Sequence, residues 1–282
     1  MATLAGGLGI SHSPGMAAAY DKAHAQNNGK GYDATWQRWY DGTRPVKAWI
    51  EALRPTQLVI VYNDHLNHFV FDTYPTLAIG VAPGFAQADE GWGPRPLPDL
   101  KGDTAFGWAV TERLVHGGFD MTVCQNMALD HGVYSWLPYV MDVPWDVPVL
   151  PIAVNMVRMP LPTSHRLHAL GQALRTAIEA YAGDERVLVV GTGGMSHQIS
   201  GGRFGLTNQE LDQYFLANLA ENPAPLVDLP QEELMRYGGT EAVELSMWFA
   251  MRGALKGEVK RVYDFYARLS VVGCGIIAME NV

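Results

Sequence analysis

The sequence is poor in cysteine, in positive charge and in long apolar runs. Its 282 residues include only two cysteines, Cys124 and Cys274, which lie far apart and in no metal-binding spacing. This argues against a disulfide scaffold and fits a reducing compartment. Acidic residues outnumber Lys and Arg by 29 to 20, and no basic cluster offsets the formal net charge of -9. We therefore expect no nucleic-acid surface.

No segment approaches the roughly 20 apolar residues that span a bilayer. The N-terminal segment has no basic region before its short apolar run, so it lacks the pattern of a signal peptide. We expect a cytoplasmic protein without a membrane span. Because we find no repeat and no long linker, we also expect a single catalytic domain over residues 1–282.

Short apolar runs alternate with helical patterns along the chain. Most of these runs are continuously apolar, which indicates strands covered on both faces, and their alternation with helices predicts an α/β fold around a largely buried sheet. The predicted strands are 4–10, 58–62, 76–81, 121–125, 147–154, 187–190 and 269–279. The predicted helices are 34–52, 104–116, 164–182, 208–220 and 240–255. The long segment 83–98 is predicted to be a loop that covers a site or meets a partner.

Three histidines follow predicted strands, which is where ligands of open α/β sheets bind. His12 follows the strand 4–10, His65 follows 58–62, and His197 follows 187–190 through the turn GTGGMSHQ. This turn departs from a Walker A loop, because no Lys follows its final glycine, and from GxGxxG, because Ser196 replaces the third glycine. We interpret it as a turn that directs His197 into a site.

A carboxylate on an apolar helix completes a possible ligand set. On a helix over 240–255, a step of about 100° per residue places Glu244 among apolar side chains, where its charge needs a partner. The alternative is a first-turn Glu that stabilises the helix dipole, a role that Glu241 fills equally well. Two histidines and one carboxylate are the ligands of non-haem Fe(II) oxygenases. Zinc accepts the same atoms, so the residues leave a zinc or manganese hydrolase open.

Several segments resemble the class III extradiol dioxygenases, and among them the catalytic beta subunits of the protocatechuate 4,5-dioxygenase type. The similarity covers nearly the whole chain. It is carried by SHSP at 11–14, VYNDH at 61–65, ADEGWGPRP at 88–96, FDMT at 119–122, DHG at 130–132, GTGGMSHQ at 191–198 and VELSMWFAMRGAL at 243–255.

The resemblance implies a three-layer αβα sandwich and a ring-cleaving dioxygenase. It implies that His12, His65 and Glu244 bind Fe(2+), that His197 is the catalytic acid/base, and that His131 is a catalytic residue lining the substrate site. The expected reaction inserts both atoms of O2 into a protocatechuate-like catechol, such as protocatechuate, gallate or a methylated gallate. A metal-free homologue that binds partners is the remaining alternative.

Two further expectations come from the resemblance. In the family a small hydroxyl residue near the C-terminus holds the ring substituents, and Ser270 matches it through a one-residue gap, whereas Val271 is the ungapped match. Relatives also work with a small alpha subunit that covers the active site. We expect a separate alpha subunit, a higher oligomer, and the loop 83–98 as the contact.

Overall fold

The computed structural model describes residues 1–25 and 31–282. The strands in these ranges are β1 (Thr3–Ile10), β2 (Gln57–Tyr62), β3 (Leu77–Gly80), β4 (Gly84–Phe85), β5 (Leu100–Lys101), β6 (Thr122–Cys124), β7 (Val149–Val154), β8 (Arg186–Thr192), β9 (Val259–Leu269) and β10 (Val272–Asn281). The α-helices are α1 (Pro14–His24), α2 (Ala34–Leu53), α3 (Thr104–His116), α4 (His131–Tyr134), α5 (Leu137–Val140), α6 (Ser164–Glu179), α7 (Gln209–Glu221), α8 (Ala224–Val227), α9 (Gln231–Gly238) and α10 (Ser246–Ala254). Two 3-10 helices span Gly201–Arg203 and Thr240–Leu245.

Eight of the strands form one mixed sheet in the order β6-β3-β7-β2-β8-β1-β10-β9. Its centre is parallel, because β7, β2, β8 and β1 each pair in parallel with the next. The antiparallel hairpin of β9 and β10 closes one edge against β1. The carboxyl ends of β2, β8 and β1 therefore lie side by side, where these three parallel strands end.

Helices cover both faces of this sheet. Within β2, Val59 and Val61 pack with α3, α6, α7 and α10 on one face, while Leu58, Ile60 and Tyr62 pack with α2 and the segment of α4 and α5 on the other. This alternation follows from the period of two in a strand. The predicted three-layer αβα sandwich is confirmed. No helix in the described ranges is long and apolar enough to cross a bilayer.

Glycines let α10 lie close against the sheet. A Cβ at Gly9 of β1 would come within 2.4 Å of the Trp248 ring, and a Cβ at Gly191 of β8 would come within 2.9 Å of the Trp248 Cα. Larger residues at either position would push the helix outwards. The close approach also brings the preceding 3-10 helix, which carries Glu244, to the ends of β1 and β8.

Two predicted elements were wrong in detail. The helix predicted over 240–255 is a 3-10 helix over Thr240–Leu245 followed by α10, so the step of about 100° per residue does not apply at Glu244. The strand predicted over 269–279 is preceded by a second strand, β9, and a turn at Ser270, whose φ is +58°. β9 lies at the sheet edge and is only partly buried, so it lacks the apolar run that marked the central strands.

Candidate active site

The three histidines predicted from the strand ends lie together with Glu244. His12 Nε2 lies 3.4 Å from Glu244 Oε2, and His65 Nε2 lies 3.6 Å from Glu244 Oε1. His197 Nε2 is 4.0 Å from Glu244 Oε2. The sheet topology brings these residues together, because β2, β8 and β1 are parallel neighbours and their carboxyl ends lie side by side. Glu241, the alternative carboxylate, instead accepts hydrogen bonds from the Ile199 backbone N–H and the Thr240 hydroxyl.

His12 and His65 are each held through Nδ1. His12 Nδ1 lies 3.0 Å from Thr192 Oγ1, and His65 Nδ1 donates to Asp130 Oδ2 at 3.0 Å. The same Asp130 oxygen accepts the backbone N–H of His65 at 2.7 Å. Hydrogen bonds of this kind orient metal-binding histidines so that the other ring nitrogen faces the ion. In both residues Nε2 is the nitrogen that faces Glu244.

His197 and His131 are oriented in the same way. His197 Nδ1 donates to the Met195 carbonyl oxygen at 2.8 Å, which leaves Nε2 of the neutral ring as an acceptor. Both the backbone N–H and Nδ1 of His131 contact the Glu90 carboxylate, at 2.9 and 2.5 Å. Glu90 belongs to the loop 83–98, so part of this loop contacts the site itself.

A second ligand combination includes His131. Its ring stacks on His65 with a centroid distance of 3.9 Å, and one ring nitrogen from each of His12, His65 and His131 lies within 4.8 Å of the others. Glu244 contacts His12 and His65 at 3.4 and 3.6 Å, and its two oxygens face the two rings separately. A carboxylate also offsets the charge of a bound cation, which a third imidazole does not. Geometry and charge together favour Glu244 over His131.

The electrostatics of the cluster suit a cation. Burial lowers the pKa of His12 to about 4, so this imidazole is neutral. Burial also acts to lower the pKa of His65. The carboxylates of Asp130 and Glu244 have the larger, opposite effect and raise this pKa to about 10. Burial acts to raise the pKa of Glu244, and contacts with His12 and His65 hold it well below its ordinary value. Without a metal, protonated His65 is the positive partner of these carboxylates, and a bound divalent cation would take the place of its proton.

One buried atom tests directly whether a metal fits. Nε2 of His12 is buried without a hydrogen-bond partner, although buried polar atoms are nearly always paired. It faces Glu244, and neutral imidazole nitrogens are common metal ligands. His12, His65 and Glu244 therefore form a donor set that a divalent metal would complete.

The glycine-rich turn positions both Glu244 and His197. The backbone N–H of Gly194 donates to Glu244 Oε2 at 2.7 Å, and a Cβ at Gly193 would lie 2.7 Å from the Glu244 carbonyl oxygen. Behind the turn, Asp212 accepts hydrogen bonds from the backbone N–H and hydroxyl of Ser196 at 2.8 and 2.6 Å. The geometry of the turn is therefore the one predicted: it brings the backbone close to the site and directs His197 into it.

These side chains line a cavity of about 560 Å³. We call the residues His12, Asn63, His65, His131, His197 and Glu244 the polar end. We call the residues Leu66, Val157, Met159, Ile199, Met235 and Val272 the apolar wall. Several wall residues are partly exposed, so the wall includes the cavity mouth. Ser270 and Val271 lie in the β9–β10 turn, Ser270 is exposed, and the cavity is lined at this point by Val272.

Sequence reasoning missed the residues that orient the ring nitrogens. Asp130 and Glu90 lie within the segments DHG and ADEGWGPRP, which drew attention only to His131 and to a partner surface. Arg95 of the same loop is buried and forms an ion pair with Asp21, with Nε 2.8 Å from Oδ2. The only sequence signal for these two residues was that each unusual segment contains a carboxylate. The histidine to which each carboxylate is hydrogen-bonded is determined by the fold and could not be identified from the sequence.

Comparisons with known proteins identify the family. The model of the family described as "Catalytic LigB subunit of aromatic ring-opening dioxygenase" matches residues 6–276. Gallate dioxygenase of Pseudomonas putida is 38% identical over 196 residues, which are 69% of this chain and 58% of that protein. The 2,3-dihydroxyphenylpropionate/2,3-dihydroxicinnamic acid 1,2-dioxygenase of Klebsiella pneumoniae is 33% identical over 150 residues, which are 53% of this chain and 46% of that protein. The chain thus spans about half the length of these curated relatives.

A solved structure supports the fold independently. An uncharacterized protein from Escherichia coli K12 superposes with a TM-score of 0.61 at 15% identity, covering 97% of this chain and 98% of that chain. At this identity the likeness shows the fold alone. The match over residues 6–276 shows more, and the chain belongs to the family of catalytic LigB subunits of aromatic ring-opening dioxygenases, the class III extradiol dioxygenases.

Proposed function

We propose that the chain is the catalytic subunit of a non-haem Fe(2+) dioxygenase that opens a catechol ring beside its two hydroxyls. The observation that carries this proposal is the convergence of His12, His65 and Glu244 around the unpartnered Nε2 of His12. Two imidazoles and one carboxylate are the donor set of Fe(2+) oxygenases, which leave positions open for substrate and O2. Both atoms of O2 enter the product.

His12, His65 and Glu244 would hold the iron, which would bring the catechol and O2 together and stabilise negative charge on them. Thr192 and Asp130 keep the two imidazoles oriented, and Gly194 does the same for the carboxylate. Asn63 also donates to Glu244 Oε1 at 3.3 Å. The amide nitrogen of Asn63 also lies 3.0 Å from His65 Nε2, so a bound metal would replace this contact.

His197 is the proposed acid/base. Because its Nδ1–H is donated to the Met195 carbonyl, Nε2 can accept the proton of a catechol hydroxyl and later return it. His131, the first residue of α4, also lines the cavity, and Glu90 holds its Nδ1. We propose that His131 orients the bound substrate and assists proton transfer.

The substrates that the resemblance suggests are protocatechuate, gallate and a methylated gallate. A small alpha subunit and a higher oligomer remain part of the proposal, with the loop 83–98 as the contact. The exposed ring of Trp92 in this loop supports that role, since 60% of the residue is accessible. Ser270 remains the proposed hydroxyl contact with the ring substituents.

The test combines metal binding with oxygen consumption. The chain is titrated anaerobically with Fe(2+) and then supplied with a catechol in an oxygen electrode. We expect near-stoichiometric binding and catechol-dependent O2 uptake, both lost in Glu244→Ala and both kept in Glu241→Ala. Loss in Glu241→Ala alone would move the ligand assignment to that residue. Metal binding with zinc or manganese but no O2 uptake would favour a hydrolase, and no metal binding would favour a partner-binding homologue.

A further inference from the structure

The backbone of His197, the proposed acid/base, is held on two sides. It pairs with Val272 of β10 in an isolated antiparallel bridge. A Cβ at Gly239 would lie 2.1 Å from the His197 carbonyl oxygen, so the chain is also packed closely there. With the backbone held in this way, the direction of the imidazole depends on the hydrogen bond that Nδ1–H donates to the Met195 carbonyl oxygen.

The Met195 carbonyl belongs to a peptide group that also contacts a buried carboxylate. The N–H of this peptide group is that of Ser196, and it donates to Asp212 Oδ1 at 2.8 Å. The peptide bond is trans, so its N–H and C=O point in opposite directions. One planar peptide group therefore accepts a hydrogen bond from His197 Nδ1 at one end and donates a hydrogen bond to Asp212 at the other.

Asp212 is held by the same turn and by α7. Its second oxygen, Oδ2, accepts the Ser196 hydroxyl at 2.6 Å, and that hydroxyl accepts the backbone N–H of Asn208 at 2.6 Å. Burial raises the pKa of Asp212, while the hydrogen bonds from Ser196 act to lower it. Its place in the first turn of α7 also favours the ionised form through the helix dipole. Asp212 is fully buried, and a Cβ at Gly273 would lie 2.2 Å from Oδ2, so the carboxylate has no space in which to turn away.

Strand β10 already fixes the path of the turn without this carboxylate. The Met195 N–H donates to the Gly273 carbonyl oxygen, and the Gly273 N–H donates to the Ser196 carbonyl oxygen, both at 2.9 Å. What Asp212 adds is a negative charge at the N–H end of the peptide group. Because hydrogen bonds in a chain polarise one another, this charge strengthens the Met195 carbonyl as an acceptor at the other end.

We propose that Asp212 is the positioning residue of His197 and acts through the Met195–Ser196 peptide group. The inference rests on the proposed role of His197 as the acid/base. The carboxylate orders the peptide group so that its carbonyl accepts Nδ1–H, which keeps the neutral imidazole in one tautomer with Nε2 free to accept a proton. Asp212 does not line the cavity, so it acts without contacting the substrate. In serine hydrolases a carboxylate orients the catalytic imidazole by direct contact, whereas here a peptide group lies between the two.

The first test is the tautomer of His197, which requires neither metal nor turnover. The full chain, labelled with 15N in histidine, is studied by NMR at about pH 8, above the ordinary pKa of an imidazole. The His197 signals are assigned by their absence in His197→Gln. We expect a protonated Nδ1 and an unprotonated Nε2 in the wild type, and a loss of this single tautomer in Asp212→Asn. A wild-type His197 that carries its proton on Nε2 would overturn the inference without any further variant.

The second test separates this role from a general effect on folding. Asp212→Asn keeps the shape of the side chain and removes its charge. Ser196→Ala keeps the backbone N–H bond to Oδ1 and removes only the hydroxyl, which leaves buried groups unpaired. We expect kcat to fall by about 10-fold in Asp212→Asn, the scale of one charge-assisted hydrogen bond, and by less in Ser196→Ala. The anaerobic Kd values for Fe(2+) and for protocatechuate should stay close to wild type in both variants.

The outcomes are distinguishable. Equal losses of kcat in the two variants, with the His197 tautomer unchanged, would limit Asp212 to holding the turn against α7 and would overturn the inference. An unchanged kcat and tautomer in Asp212→Asn would do the same. Absence of O2 uptake by the wild type with every catechol contradicts the proposed function instead, and the tautomer of His197 then still decides whether Asp212 positions it.

Discussion

The polar end and the apolar wall of the cavity are built in different ways. At the polar end each imidazole is held through Nδ1, and the Glu244 carboxylate accepts hydrogen bonds from Asn63 and Gly194. Along the wall, side chains such as Met159 and Ile199 are exposed and have no polar group through which they could be held. The difference shows which part of the cavity needs precise geometry. A metal and a proton-transfer group require fixed interatomic distances, whereas an apolar substituent requires only that water be excluded around it.

The largest effect is expected when the proton acceptor of the polar end is removed. His197→Gln should lower kcat by about 100- to 10 000-fold, the usual contribution of general acid–base catalysis. The Kd for Fe(2+) should be nearly unchanged, because Glu244 contacts His12 and His65 more closely than His197. Oxygen uptake and anaerobic titration measure the two quantities. An equal loss of metal affinity would make His197 a ligand instead.

The next effect concerns the carboxylate behind His65. Asp130→Asn should weaken Fe(2+) binding by about 10- to 100-fold, because Asp130 orients the ring through Nδ1. Asp212→Asn is the matched control, since Asp212 is equally buried but holds Ser196. We expect this control to lower turnover through His197 while the Kd for Fe(2+) stays close to wild type. Similar metal affinities in both variants would remove Asp130 from this role.

A smaller effect is expected at Glu90, which links the loop 83–98 to the polar end. Glu90→Gln should lower kcat/KM by about 10-fold, the loss expected for one charge-assisted hydrogen bond. Asp89→Asn is the control, because Asp89 contacts the amides of Gly91 and Gly93 rather than His131. Steady-state kinetics and an anaerobic titration of both variants provide the comparison. Unchanged kinetics for Glu90→Gln would limit the loop to partner contacts.

The smallest effect on stability is expected along the wall. Ile199→Ala should change the free energy of unfolding by less than about 0.5 kcal/mol, because this side chain is exposed. Its KM for an apolar catechol should nevertheless rise. Met247→Ala, in the buried core beneath the site, should cost about 2–5 kcal/mol. Urea denaturation of both variants tests the contrast, and a comparable loss of stability at Ile199 would show that the wall is part of the core.

Much of the fold was predictable because its central strands are apolar on both faces. β2, β7 and β8 lie close to their predicted bounds, since burial on two sides leaves a continuous apolar run. β9 was missed because an exposed edge strand keeps polar side chains. The 3-10 start of the segment 240–255 was missed because its apolar pattern is also that of an α-helix.

The candidate site was predictable only in part. Its histidines follow strands, and this placement alone predicted that His12, His65 and His197 approach one another. Glu90 and Asp130 gave no such signal, because a carboxylate in a loop is usually solvated. The apolar wall could not be predicted either, since its residues come from separate segments of the chain.

By itself, the sequence determined the layered α/β fold, the histidines at the strand ends and the family resemblance, because local periodicity and motifs encode these directly. Only the tertiary structure decided that Glu244 lies between His12 and His65, that Glu90 holds His131, and that apolar side chains form the rest of the cavity lining around them. The physical reason is that hydrogen bonds and cavities are formed by residues far apart in sequence, such as Glu244 and Gly194, whose contact exists only after the strands and helices have packed.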